Sequence, residues 1–342
     1  MSDIFYDSNG YVDIRAIMKT CGVPYIFIVG GRGTGKTYTA LKTMREDGRM
    51  CMLLRRTKTQ IDIVSKDVMS PYKPIAVDEG FLYHTEAIAG SVSCVYEDLD
   101  DGKKKPLCYL TALSTISNMR GFDASDVEVL IYDEFIPERH ERPIKNEAEA
   151  FYNAYETLNR NRELKGRPPI QCLFLANAND LANPLFTSLE LTAKAEKMKK
   201  RGQTYTVDKD RGCAIVLLTE SPISEKKALT ALYKLTRNGR YNEMALDNIF
   251  AYNDMDGVRS EILKGYEPVV KVGDIYIYRN KGRHLYYATR HGSGEPPEYA
   301  ATPTGLLHFR SNYSQLRYSA IVGNILFENY EIKDRIMEYL GY

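Results

Sequence analysis

Tyr25-Ile-Phe-Ile-Val29, running straight into Gly30-Gly-Arg-Gly-Thr-Gly-Lys-Thr37, is the stretch that decides how this chain folds. Its first five residues have the length and apolar composition of a buried strand. The next eight satisfy Gly-x-x-x-x-Gly-Lys-Ser/Thr at every fixed position. Glycines let backbone N–H groups turn inward around phosphate oxygens, and the helix that follows points its positive end at them. Gly30, Gly31, Arg32, Gly33, Thr34 and Gly35 are thus the expected cradle for ATP. Lys36 is expected to reach the outer phosphates, and the Thr37 hydroxyl to bind Mg²⁺. Arg32 is an unusual resident of such a loop; bridging to a neighbour's nucleotide and bracing an acid of the same site are both open to it.

Working outward, Val127 to Tyr132 reads as a second apolar strand, ending in Asp133-Glu134. An aspartate at a strand's C-terminal end is placed to hold a Mg²⁺ shell. Glu134 beside it can orient and deprotonate an attacking water, which suits hydrolysis better than transfer to a small acceptor. The distance in sequence from Lys36 leaves room for an intervening strand. Ile170 to Ala176 is a further strand, and Asn177 at its end can sense the γ-phosphate or simply open a turn. Met50 to Leu54 forms another strand, ending at Arg55-Arg56. Ser91 to Tyr96 and Pro106 to Ala112 are expected to pair as a hairpin across Asp101-Gly102. A helix is predicted over Asn146 to Glu163, with Arg160 and Arg162 at its end. They are either solvated or an arginine finger acting on a neighbouring subunit.

Composition narrows the class. Of 342 residues, 44% are hydrophobic and 27% charged, as in ordinary globular proteins. No apolar run approaches a membrane span and the start of the chain lacks a signal-peptide pattern, so no membrane partner is expected. The six cysteines are scattered without metal-ligand spacing, which fits buried thiols in a reducing cytoplasm. A net charge of +1 excludes coating nucleic acid by bulk charge, so any such contact needs a local patch.

Taken together, these residues resemble the DNA-packaging ATPases of small podoviruses of the phi-twenty-nine type, relatives of the terminase large subunits. The resemblance rests on Phe5-Tyr6, the Gly30–Thr37 loop, Leu54-Arg-Arg-Thr-Lys58 and Ile131-Tyr-Asp-Glu-Phe-Ile136. It continues through Arg160-Asn-Arg-Glu163, Leu175-Ala-Asn-Ala178 and Tyr241-Asn-Glu-Met-Ala-Leu-Asp-Asn248, in the family's order. It implies an ASCE-type P-loop ATPase (FtsK-HerA-like) that forms a homo-oligomeric, pentameric ring. Such a ring works in the host cytoplasm, docks transiently at a phage portal, and drives double-stranded DNA into a procapsid, in some cases with a structural RNA. Carried over, Lys36 and Thr37 bind phosphate and Mg²⁺, Asp133 holds the metal, and Glu134 is the catalytic carboxylate. Arg160 is the trans-acting finger with Arg162 as its competitor, Asn177 belongs to the coupling motif, and Lys58 faces DNA. Two other classes stay open: another nucleic-acid-stimulated P-loop ATPase, and a nucleotide switch that scaffolds an assembly without turnover.

The expected fold class is α/β: a P-loop domain with a largely parallel sheet over residues 1–222, a helical linker over 223–255, and a small α+β domain over 256–342. Thr204 to Val207 and Ala214 to Leu218 are strand-like and close the first sheet, and Ser224 is the expected N-cap of a helix to Asn238. Val269 to Tyr278 and His284 to Thr289 read as a tyrosine-rich hairpin around Asn280-Lys-Gly282. Helices are predicted near Tyr313 to Phe327 and Glu331 to Leu340. The resemblance implies a degenerate ribonuclease-H-like nuclease here. Cleavage chemistry needs about three carboxylates around paired metals, whereas only Asp274 is expected inside a strand, so activity as a nuclease is not expected. From Lys264 to Arg290, six basic residues face two acids. Lys271, Arg279, Lys281 and Arg283 among them are candidate DNA contacts.

Overall fold

The computed structural model describes residues 2–119, 123–137, 141, 144–177, 183–218, 221–235 and 257–342. The chain divides into two compact units, Met1–Asp180 with Met198–Ala251, and Leu181–Lys197 with Tyr252–Tyr342.

The first unit is built on a nine-stranded sheet. In chain order its strands are β1 (Tyr25–Gly30), β2 (Cys51–Arg55), β3 (Leu82–Ala89), β4 (Val92–Asp98), β5 (Lys104–Ala112), β6 (Val129–Asp133), β7 (Gln171–Asn177), β8 (Tyr205–Asp208) and β9 (Cys213–Leu218). Their order across the sheet is β3-β4-β5-β2-β6-β7-β1-β9-β8. From β5 to β9 the pairings are parallel, while β3, β4 and β8 are antiparallel margins. The expected β4–β5 hairpin is present, with β3 added outside it.

Helices α1 (Ile14–Cys21), α2 (Lys36–Glu46), α3 (Lys58–Val64) and α4 (Tyr72–Glu79) bury Ile14, Leu41, Ile61 and Ile75 in one core with Ile26, Ile28 and Leu53. On the alternate positions of the strands, Phe27 stacks on Phe174 at 4.1 Å, and Phe174 meets Phe151 of α5 (Glu147–Asn159) at 5.0 Å. With both faces covered, the central strands read as unbroken apolar runs, the mark of a parallel sheet.

Two predicted helices differ in extent. The one expected to reach Glu163 stops at Asn159, because Arg160 takes a positive φ of 45° and cannot continue the helix. Past β9, α8 (Pro222–Ala228) and α9 (Ala231–Leu235) replace one continuous helix, with α6 (Pro184–Ser188) and α7 (Thr192–Lys200) preceding them. Ser221 rather than Ser224 stands at the N-cap of α8. Residues 236–238 and the Tyr241 to Asn248 motif lie outside the described residues.

The second unit carries a five-stranded sheet of β10 (Glu267–Val272), β11 (Ile275–Asn280), β12 (Leu285–Thr289), β13 (Glu298–Tyr299) and β14 (Ile325–Phe327), ordered β13-β10-β11-β12-β14. The Val269 to Tyr278 stretch is two strands, because Gly273 takes φ 60° and turns the chain. Asp274 therefore sits in that turn, not in a strand. Helices α10 (Pro303–Asn312), α11 (Ser314–Ile321) and α12 (Tyr330–Leu340) bring Phe309, Leu316 and Ile336 into its core. The helix expected to run to Phe327 ends at Ile321, since Gly323 adopts φ 75° and Ile325–Phe327 joins the sheet instead. α10 lies outside the predicted helices, although Thr302 caps it and Pro303 stands in its first turn, a start signal present in the sequence.

Candidate functional site

Sheet register brings the candidate residues together. Gly30 ends β1 directly beside Asn177 on β7, and Asp133 ends β6 beside Leu175 of β7. The phosphate loop and the acidic pair therefore open at the same edge of the sheet, with β7 between their strands. Ligands of open α/β sheets bind at this carboxyl edge.

The loop itself is folded around Lys36. This side chain is 8% exposed, and its Nζ donates to Gly31 O at 2.7 Å, Gly30 O at 3.1 Å and Asn177 Oδ1 at 3.3 Å. Burial pushes its pKa down to about 7, with Asp133 opposing the fall and the Lys227 and Arg32 charges adding to it. Gly33 and Gly35 both take positive φ, 64° and 88°, so their backbone amides turn where an L side chain resists going. A side chain on Gly35 would also press on Tyr11, whose ring lies 3.0 Å from the position of that Cβ.

Thr37, on the first turn of α2, donates its hydroxyl to Asp133 Oδ1 at 3.0 Å. Asp133 is 4% exposed, and its other oxygen accepts from Arg55 Nη2 at 2.9 Å. Glu134 follows with φ 60°, an uncommon conformation for a residue with a side chain. Its carboxylate stands 3.8 Å from Arg55 Nη1 and accepts weakly from Gln60 Nε2 at 3.4 Å. Burial raises its pKa above the usual carboxylate range, and Arg55 partly opposes that rise. Gly33, Lys36, Thr37, Asp133, Glu134 and Asn177 line one cleft of about 240 Å³. Basic loop donors, a buried lysine and a hydroxyl–carboxylate pair fit a phosphate chain with a divalent cation.

Alongside lies a larger cavity of about 640 Å³, walled by Tyr11, Arg15, Tyr38, Lys42 and Asp78 together with Gly33 and Gly35. Its N-terminal wall is tied to the loop where Val12 N donates to Thr34 O at 3.0 Å. Apart from the loop residues, this lining was not anticipated: Tyr11 is delivered by a turn local to Asp7, which accepts from the amides of Asn9 and Tyr11. Arg55 was likewise legible only as the end of a strand.

The remaining candidates lie elsewhere. Arg160 is exposed just past α5, whereas Arg162 is buried and donates to Val127 O at 2.6 Å and Pro168 O at 3.2 Å. Lys58 opens α3 and pairs with Asp62 at 2.6 Å. In the second unit Lys271 pairs with Glu298, Lys281 with Glu267, and Arg283 with Glu261. Glu298 and Glu261, from outside the counted stretch, and Glu267 within it thus answer much of its positive charge. Arg279 is exposed, lies over the Tyr286 ring, and has no ion pair among the described residues. Among the described residues no helix is long and apolar enough to cross a membrane, and no cluster of acids, histidines and cysteines has the form of a metal site.

Comparison with known proteins bears on the fold and the family. A solved structure described as the bacteriophage phi-29 viral genome packaging motor assembly superposes with a TM-score of 0.66 at 19% identity, over 98% of each chain. The phi-28 gp11 DNA packaging motor gives a TM-score of 0.61 at 19% identity, over 98% of this chain and 99% of that one. At that identity the likeness speaks for the fold. No curated protein sequence matches. Residues 3–261 match the podovirus DNA encapsidation protein (Gp16) family, and the chain belongs to that family.

Proposed function

We propose that this chain is the ATP-hydrolysing subunit of a phage DNA-packaging motor. The observation that carries it is the joining of Lys36, Thr37, Asp133, Glu134 and Asn177 around one cleft at the carboxyl edge of the sheet. The phosphates are held by the amides of the Gly30–Thr37 loop and by Lys36. Mg²⁺ is held by Thr37 with Asp133 and, when bound, neutralises phosphate charge. Glu134 orients a water and takes its proton, and burial raises its pKa. The adjacent 640 Å³ cavity accommodates the adenosine half, with Tyr11 and Tyr38 as its aromatic walls.

Arg160 is the finger offered to a neighbouring subunit of a homo-oligomeric, pentameric ring. Support comes from its exposure, in contrast to the buried and satisfied Arg162. Asn177 couples the phosphate site to movement through its contact with Lys36. Lys58 and the basic side of the second unit, with Arg279 foremost, contact the DNA backbone, and the portal and a structural RNA are further partners. The second unit is a shortened ribonuclease-H-like domain without nuclease activity. Three of its acids are engaged in ion pairs, Asp274 with Arg290 and Arg335, Glu298 with Lys271 and Glu267 with Lys281.

Phosphate release measured with and without double-stranded DNA tests this. Glu134→Gln is expected to bind ATP with near-native affinity while losing turnover by about 10²-fold or more. Native turnover by Glu134→Gln would contradict the assignment.

A further inference from the structure

Lys227 lies far from the loop in sequence, yet its Nζ donates to the carbonyl of Arg32, at the heart of the phosphate loop. The lysine reaches there from α8, the helix that follows the last parallel strand of the sheet. It packs so closely over Gly33 that a side chain at that position would collide with its ammonium.

The electrostatics of the position are lopsided. Lys227 is half-buried, and among the described residues it has no carboxylate within ion-pair distance; a neutral carbonyl is its partner. Burial lowers its pKa, and its charge adds to that of Arg32 in pushing Lys36 down. Half-buried ammonium groups without a counter-charge are costly unless an anion completes them. Three cations gather at one loop, Arg32 and Lys36 from its own sequence and Lys227 from α8, and together they suit a polyanion with several charges.

We infer that Lys227 is a further phosphate ligand of this site, contributed within the same chain, and that nucleotide binding thereby fastens α8 to the loop. This rests on the ATPase reading above and extends it to a residue outside the loop and the acidic pair. On phosphate binding the ammonium trades a carbonyl for a charged oxygen, a hydrogen bond of roughly twice the strength. Because the contact joins the loop to the segment leaving the sheet, nucleotide occupancy is transmitted to α8 without any motion of the strands.

The test is competition of ATP, ADP and AMP against a fluorescent ATP analogue, on the native chain and on Lys227→Gln, Lys227→Arg and Lys36→Ala, together with hydrogen exchange of residues 222–235. The expected result is that Lys227→Gln weakens ATP about tenfold or more, with less effect on AMP, and that Lys227→Arg restores most of it. ATP should slow exchange in α8 of the native chain and leave it unchanged in Lys227→Gln. Equal losses for ATP, ADP and AMP would mean that the lysine only props the loop, which overturns the inference, as does native ATP affinity in Lys227→Gln. If the native chain itself binds no ATP, the ATPase reading falls first, and the two failures are told apart by that control.

Discussion

Arg55 donates to Asp133 at 2.9 Å and stands 3.8 Å from Glu134, so one guanidinium divides itself between the two acids of the site. Its positive charge holds down a Glu134 pKa that burial drives up. A general base must be ionised, so turnover should rise with pH as Glu134 loses its proton. Arg55→Ala removes the opposing charge, and the acidic limb of kcat against pH should move to higher pH. A limb that stays in place in the variant would show that Glu134 does not limit the rate.

Lys36 carries a depressed pKa of about 7. Between that value and the usual 10.5 of an unfolded lysine, the unfolded state holds more protons. Stability of the nucleotide-free protein should therefore rise as pH climbs through this window. Lys36→Met relieves the burial of charge, so the nucleotide-free Tm at pH 7 should increase by about 2–4 °C while ATP binding is lost. In the native chain ATP favours the charged lysine, and calorimetry at pH 8 in buffers of different ionisation enthalpy should record proton uptake. Absence of uptake would contradict a lysine that recharges on binding.

Arg160 and Arg162 are two residues apart and differ in kind. Arg162→Ala leaves the Val127 and Pro168 carbonyls without their donor and should cost about 1–3 kcal/mol in a denaturant titration. Arg160→Ala should leave the midpoint within experimental scatter and act on turnover alone. A reversed pattern would exchange their assignments.

The neighbouring arginine is a purely structural counterpart. Arg56 is fully buried and clasps Glu147 through bonds of 2.8 and 2.9 Å, while Tyr132 donates to the same carboxylate at 2.8 Å. Arg56→Met strands a buried charge and should destabilise the protein by about 3–5 kcal/mol. A loss below ~1 kcal/mol would show that solvent reaches this pair.

For the second unit, Arg279→Ala should weaken double-stranded DNA binding and lower the slope of log affinity against log salt by about one. Lys281→Ala, whose ammonium is already paired with Glu267 at 2.7 Å, should change that slope less. Equal effects would mean that the ion pair opens on binding.

Much of this site was legible because it is local or periodic. The loop is contiguous, and Asp133-Glu134 and Asn177 each end an apolar run, so the parallel register alone carries them to one edge. What escaped depends on contacts between distant residues. Arg55 and Arg56 are adjacent in sequence, yet strand alternation sends one to Asp133 and the other into the core. Lys227 reaches the loop from a helix with no motif of its own. The count of basic residues between Lys264 and Arg290 missed Glu261, Glu298 and Glu331, which pair with Arg283, Lys271 and Arg290 from outside that stretch. Helix ends were misjudged where the backbone takes positive φ, at Arg160 and near Gly323, a property that side-chain periodicity does not encode.

The most direct test of the central claim is steady-state ATP hydrolysis against protein concentration, with and without double-stranded DNA, for the native chain, Arg160→Ala and mixtures of the two. A ring motor with a finger acting between subunits predicts a DNA-stimulated rate that climbs faster than linearly, is lost in Arg160→Ala, and falls more steeply than the fraction of variant mixed in. A rate linear in protein, indifferent to DNA and untouched by the substitution would contradict it.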